Sequence, residues 1–237
     1  MFLTPYFVQE NNQFHFTRAQ ASNFAKGIAG DFNPIHDEDN SRFCVPGDLL
    51  FAVMLQQEGI SRSMEFTFSG MVTEGTELHI NHESEENKAV VDANDKVYLG
   101  MHSEGENCQN AELIEEVIRG YVKFSGMNFP HIMVPLMEQE QMMFNTKRPL
   151  IIYESMKLEF TKYDVSNLNV DLSSATFDVK GRRGVVTLNF EFKANGEIVG
   201  TGSKRMIASG LIPWDGEAMG AYVEKFNNAK TSFLAKQ

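Results

Sequence analysis

Apolar residues recur at helical spacing at Ala21, Phe24, Ala25 and Ile28, behind a Thr17-x-x-Gln20 capping box. The spacing predicts a helix that begins at this box and stops at Gly30. Between Leu49 and Leu55 the pattern changes, and seven apolar residues follow one another with no polar position between them. A helix that is apolar on every side must be wrapped by other structure. The segment, which opens at Pro46-Gly47-Asp48, therefore predicts a buried central helix. Alternation takes over in SMEFTFSGMVTEGTELHI, NKAVVDAN and KVYLGMHS, with Gly or Asn between them, and predicts antiparallel strands. Residues 103–110, SEGENCQN, are polar and read as a structureless linker.

Beyond that linker the order repeats. Leu113, Ile114, Val117, Ile118, Tyr121 and Val122 mark a helix, residues 132–143 form a second apolar segment, and strands follow from Leu150 to Ala208. SMEFTF begins at Ser63 and SMKLEF at Ser155, 92 positions later. AGDFNPIH (29–36) is echoed by SGMNFPH (125–131), where Gly126 stands 96 positions after Gly30. Similar offsets in the same order predict one module used twice, residues 1–105 and 111–237, each a central helix wrapped by antiparallel strands. Two such units would join into one sheet, because each alone leaves exposed edges. The class is α+β.

Composition narrows the function. The chain has 237 residues, 42% of them hydrophobic and 19 of them Phe, which can build a substantial core. Only 22% are charged, which excludes global disorder. With 21 Lys+Arg against 32 Asp+Glu the net charge is −11, and such a surface repels nucleic acid. The N-terminal segment has no basic stretch before an apolar run, so no signal peptide is expected. No segment approaches the ~18 apolar residues of a membrane span. Cys44 and Cys108 share no metal-ligand spacing and suit a reducing compartment. These features predict a soluble cytoplasmic protein without metal or cofactor.

The stretch AGDFNPIH places Asp31, Asn33 and His36 at a helix exit, in a turn favoured by Asn33-Pro34. Imidazole titrates near neutrality and a carboxylate can hold a water, so the pair suits general acid–base chemistry. The stretch resembles the signature of the MaoC-like (R)-specific enoyl-CoA hydratases, approximately S/A-G-D-x-N-P-[IL]-H. VPGDLLFAV resembles that family's central-helix start. The match is strong from about Phe16 to Leu55, weaker to about residue 102, and architectural beyond, where the chain resembles double-hotdog members.

The resemblance implies two tandem hotdog modules forming a pseudodimer. It implies a hydratase or dehydratase that adds water to a trans-2-enoyl thioester, on CoA or a carrier protein, to give an (R)-3-hydroxyacyl thioester. Asp31 and His36 would be the catalytic pair and the Gly47 N–H the donor to the thioester oxygen. Asn33 would stand at the substrate-binding edge, holding the loop through side-chain to backbone bonds. The partners implied are a small-molecule acyl thioester and, at most, a second copy of the chain. Three departures accompany the match. Only HDEDNSRFCVPG links the motif histidine to Gly47, Pro46 and Asp48 flank that glycine where the family has His and Met, and Met127 replaces the aspartate in the echo. The second half is thus expected to be non-catalytic, with an apolar tunnel beside the first-half motif. A non-catalytic acyl-thioester-binding protein and a hotdog acyl-CoA thioesterase are the alternatives.

Overall fold

The computed structural model describes residues 2–235. A short hairpin, β1 (Val8–Glu10) and β2 (Gln13–His15), leads to α1 (Arg18–Phe24), which continues as a π-helical turn, Ala25–Ala29. The Thr17 capping box closes in both directions. Gly30 ends the helical run with φ +69°, a left-handed conformation open to glycine. A loop with a 3-10 turn, Pro34–His36, precedes α2 (Gly47–Glu58), β3 (Ile60–Phe68), β4 (Leu78–His82), β5 (Asn87–Asp92) and β6 (Val97–Cys108). The second half begins with α3 (Ala111–Gly126), a π-helical turn at Phe129–Met133, α4 (Val134–Gln139) and β7 (Met142–Met143). It continues with β8 (Ile151–Phe160), β9 (Asn169–Lys180), β10 (Arg183–Ala194), β11 (Glu197–Ser209), β12 (Ile212–Pro213) and α5 (Gly216–Leu234).

Ten strands form one antiparallel sheet in the order β1-β2-β4-β5-β6-β3-β8-β11-β10-β9. From its centre the order runs β3-β6-β5-β4 one way and β8-β11-β10-β9 the other, so the halves are related by an internal pseudo-twofold. The strings that repeat in sequence are the ones that meet there. Ser63 pairs with Glu159, Glu65 with Lys157 and Thr67 with Ser155. Inside the sheet, Leu49 to Leu55 of α2 are at most 2% exposed, as a helix with no polar face requires. Strand β10 shows the complementary rule, with Val186, Leu188, Phe190, Phe192 and Ala194 buried at every second position. The architecture is a double hotdog, of the α+β class.

Three local expectations are corrected. Residues 103–108 are strand, not linker: β6 runs on to Cys108 and pairs with β3 as far as Ile60. Backbone pairing at a strand end needs no apolar side chains, so polarity misled there. The second apolar segment is divided among the end of the π-helical turn, the six-residue α4 and strand β7, because Pro135 and the polar stretch Glu138–Gln141 interrupt the apolar run. Helix α5 was not foreseen: only Met219 and Phe226 of its residues are buried, and so sparse an apolar set leaves little periodic signal.

Candidate functional site

The loop between Gly30 and α2 is fixed by its own polar groups. The Asp31 amide donates to the Ala25 carbonyl at 2.8 Å, closing the π turn. Asp31 Oδ1 accepts from the Asn33 amide at 2.8 Å, and Asn33 Oδ1 accepts from the Ile35 amide at 3.2 Å, capping the 3-10 turn that Pro34 starts. The turn delivers His36 to the carbonyl of Cys44, 2.7 Å from Nδ1. A carbonyl only accepts, so Nδ1 carries a proton and, in the neutral ring, Nε2 presents its lone pair. Nε2 faces Asp31 Oδ2 at 3.6 Å, with the two side chains 12% and 25% exposed. Asp31 and His36 are therefore brought together, while Asn33 is exposed and spends its side chain on the turn.

Gly47 is the first residue of α2. The rings of Phe68 and Tyr153, stacked at 3.9 Å, lie against it, and a Cβ here would come 3.1 Å from Phe68 Cε1. Gly126, the echo of Gly30, meets the first-half motif directly. A Cβ on it would lie 2.2 Å from the Ala29 carbonyl oxygen and 3.0 Å from the Asp31 nitrogen. The helix exits of the two halves thus touch, backbone to backbone.

Beneath the pair lies a buried polar cluster that sequence reasoning missed. Asp48 is 8% exposed, and its Oδ1 is buried with no hydrogen-bond partner. Lys204 of β11 is 5% exposed, donates to Ser125 Oγ, and sits 4.0 Å from the Tyr153 ring centre. The Tyr153 and Tyr121 hydroxyls are bonded to each other. Burial pushes the Asp48 carboxyl above its ordinary range; Lys204 and Ser125 oppose this, while Asp31 adds to it. Burial likewise lowers Lys204, against the pull of Asp48 and Asp31. Lys204 lies opposite Leu188 and Met156, both buried, and so falls on the core face of β11. A lysine in the core phase of a strand was the one available signal. In the sequence Asp48 shows only as a departure from the family pattern beside Gly47. Burial raises the thiol of Cys44, close to His36, to about 11, which disfavours the thiolate that a nucleophile needs.

Where an apolar tunnel is expected beside the motif, helix α5 packs against the loop. Phe32 makes edge-to-face contacts with Phe226 and Phe233 of α5, at 5.7 and 5.8 Å. Tyr222 of α5 is within electrostatic reach of Asp31. A groove of about 340 Å³ marks the seam, between Lys26, Asp37, Glu38 and Asp39 on one side and Ala229, Ser232 and Phe233 on the other. A larger cavity, about 510 Å³, is polar and lined by second-half residues including Lys162, Tyr163, Asp164 and Asn195, none of them from the motif. The location expected for the main cavity is corrected accordingly. Among the described residues no group of three or more His, Cys, Asp or Glu is placed to hold a metal, and no helix is long and apolar enough to cross a membrane.

Fold and site together define a double-hotdog protein with an Asp–His pair near the N-terminal end of its wrapped helix. The chain belongs to the family described as "Protein of unknown function (DUF3581)", whose model matches residues 1–217. No curated protein matches it. Among solved structures it is similar to a tesB protein of Mycobacterium avium subspecies paratuberculosis, at 10% identity and a TM-score of 0.48, covering 87% of this chain and 97% of that one. An acyl-CoA thioesterase II from Mycobacterium marinum gives 11%, 0.42, 91% and 99%. A MaoC-like dehydratase gives 10%, 0.42, 85% and 97%.

Proposed function

We propose that this chain is a MaoC-like hydratase or dehydratase acting on a trans-2-enoyl thioester carried by CoA or a carrier protein. One observation carries the reading: His36 Nε2, its tautomer set by the Cys44 carbonyl, faces Asp31 Oδ2 at 3.6 Å. That gap exceeds a direct hydrogen bond and suits two groups that share a water. Asp31 holds the water and Nε2 takes one of its protons as the oxygen bonds to the β-carbon. The π pair moves to the α-carbon, which receives that proton on the same face, giving the (R)-3-hydroxyacyl thioester. The thioester oxygen carries transient charge, and the Gly47 N–H at the positive end of α2 is the donor for it. Met127 leaves the second half without a pair, so each chain has one site. Entry requires the aromatic contacts between Phe32 and α5 to part. The setting is cytoplasmic, with no cofactor beyond the substrate's own carrier.

The loop geometry favours a second reading, a non-catalytic acyl-thioester-binding hotdog. Asp31 and Asn33 already satisfy backbone amides in the turn, a structural role sufficient to retain them. A thioesterase would instead use Asp31 or Asp48 to activate water against the carbonyl. One assay separates all three: the purified chain with crotonyl-CoA and longer enoyl-CoA substrates, following loss of the conjugated double bond and release of free thiol. Hydration without thiol is expected, and Asp31→Asn and His36→Ala should each lower it by ~10²- to 10⁴-fold. The double variant should fall little below the worse single one, because the two act on one water. Free thiol would identify a thioesterase. An inert wild type, with Asp31→Asn destabilised, would leave a structural turn.

A further inference from the structure

We propose that Arg18 is a positioning residue of this site: its guanidinium clamps the loop of residues 37–44, which carries the Cys44 carbonyl to His36 and so leaves Nε2 able to take a proton. The catalytic consequence rests on the hydratase reading; the clamp itself does not. No helix or strand lies between the turn Pro34–His36 and α2, so the carbonyl that sets the tautomer of His36 sits on irregular chain. Irregular chain keeps one conformation only where specific bonds offset the entropy lost. Arg18, the first residue of α1, supplies such bonds from outside the loop. Its Nη1 donates to the Glu38 carbonyl at 2.8 Å and to the Asn40 carbonyl at 2.9 Å. Its Nε donates to Glu74 Oε2 at 3.2 Å, and its Cζ lies 5.0 Å from the centre of the Phe43 ring. The Asn40 carbonyl also accepts from the Phe43 amide at 3.1 Å, and Phe43, 3% exposed, precedes Cys44. The Cys44 amide donates to the Ile35 carbonyl at 3.0 Å, and the Cys44 carbonyl accepts from His36 Nδ1. Direct contacts and one peptide bond therefore connect the guanidinium to the imidazole.

Arginine suits this place better than lysine. A guanidinium holds five donors in one plane and offers a flat face, so it can engage two carbonyls, a carboxylate and a ring at once. The other bonds of the loop do not replace it. Asn40 Nδ2 bonds the Pro34 carbonyl at 2.6 Å within the same segment, and Lys26 pairs with Asp37 at 2.9 Å where the loop begins. Past Cys44, the Val45 amide donates to the Val72 carbonyl at 2.9 Å. Those contacts hold both ends of the loop when Arg18 is removed, so the chain should fold while the segment between them drifts. The position of the ring proton follows the hydrogen bond that the ring makes. With the Cys44 carbonyl displaced, the neutral ring spends time with its proton on Nε2, and that form cannot take one from water there. Asp31 stays where the Asn33 amide holds its Oδ1, so the loss falls on the histidine.

The test uses the full chain with Arg18→Met and Arg18→Lys. The first readout needs no activity: the two ring ¹⁵N shifts of His36, which report the tautomer, at a pH where the ring is neutral. In wild type they should lie far apart, with Nδ1 as the protonated nitrogen. In Arg18→Met they should move toward each other, and in Arg18→Lys less far. The second readout is hydration of crotonyl-CoA, where Arg18→Met should lower kcat by about 10-fold with KM within about twofold. A merely structural arginine would lower Tm and leave the ¹⁵N shifts where they were, and that result overturns the proposal. So does an unchanged kcat in an active chain whose shifts have moved. If Arg18→Met does not fold, Arg18→Lys must move the shifts in the same direction, and unmoved shifts there overturn it too. Moved shifts in a chain inert toward every enoyl thioester support the Arg18 assignment and overturn the hydratase reading.

Discussion

Asp48 carries a stability signature set by its burial. Its carboxyl is held above the ordinary value of 3.8, first by burial, so the folded chain binds that proton more tightly than the unfolded one. Stability from this group is therefore greatest below the unfolded value and is lost as pH rises through the folded one. Asp48→Asn removes the slope. Melting curves taken upward from pH 4 should show the Tm of the variant gaining on wild type as pH rises. A parallel pair of curves would mean that Asp48 is not a buried ionisable group in solution. At the same scale, Gly126 is required by contact, since a Cβ would meet main chain, which cannot swing aside as a flexible side chain can.

Helix α5 is the element that packs across the motif loop. Asp215 caps it by accepting from the Ala218 amide at 3.0 Å, and Met219 anchors its first turns in the second core cluster. Its C-terminal half is held over the motif by Phe226 and Phe233 against Phe32, contacts worth about 0.5–1.5 kcal/mol each beyond their area. Phe226→Ala with Phe233→Ala should raise the rate at which diethyl pyrocarbonate modifies His36, by about 10-fold or more, with little change in helical content. Site-resolved mass spectrometry separates His36 from the other histidines. Equal rates in wild type and variant would show that α5 does not close the site.

At the scale of the molecule, the β3–β8 seam joins the two modules into one sheet. Leu158 lies opposite Met64, and Met156 opposite Phe66, all buried, while the Glu65–Lys157 ion pair on the other face is exposed. Leu158→Ala should cost about 2–5 kcal/mol through lost burial and the cavity left behind. It should lower the stability of both halves together, as a single urea transition seen alike by tryptophan fluorescence and far-UV circular dichroism. Lys157→Ala should change stability by less than about 1 kcal/mol, since exposed pairs contribute little. Two separated transitions in Leu158→Ala would mean that each module holds its own fold.

Local signals in the sequence determined much of this. The capping box at Thr17, the glycine stop at Gly30, the unbroken apolar run of α2 and the alternating strands each follow from covalent geometry and side-chain polarity over a few residues. The repeat at Ser63 and Ser155 marked the duplicated module, and AGDFNPIH brought Asp31 and His36 into one turn; that the two repeated strands pair with each other came from the structure. Tertiary structure decided what depends on residues far apart in the chain. It placed Lys204 of β11 and Ser125 of α3 beneath Asp48, because register sets the face a strand residue occupies and no single sequence displays register. It laid α5 across the motif, because a few aromatic side chains can dock a mostly polar helix. It also carried β6 through a polar stretch, because backbone hydrogen bonds to β3 stabilise a strand whatever its side chains.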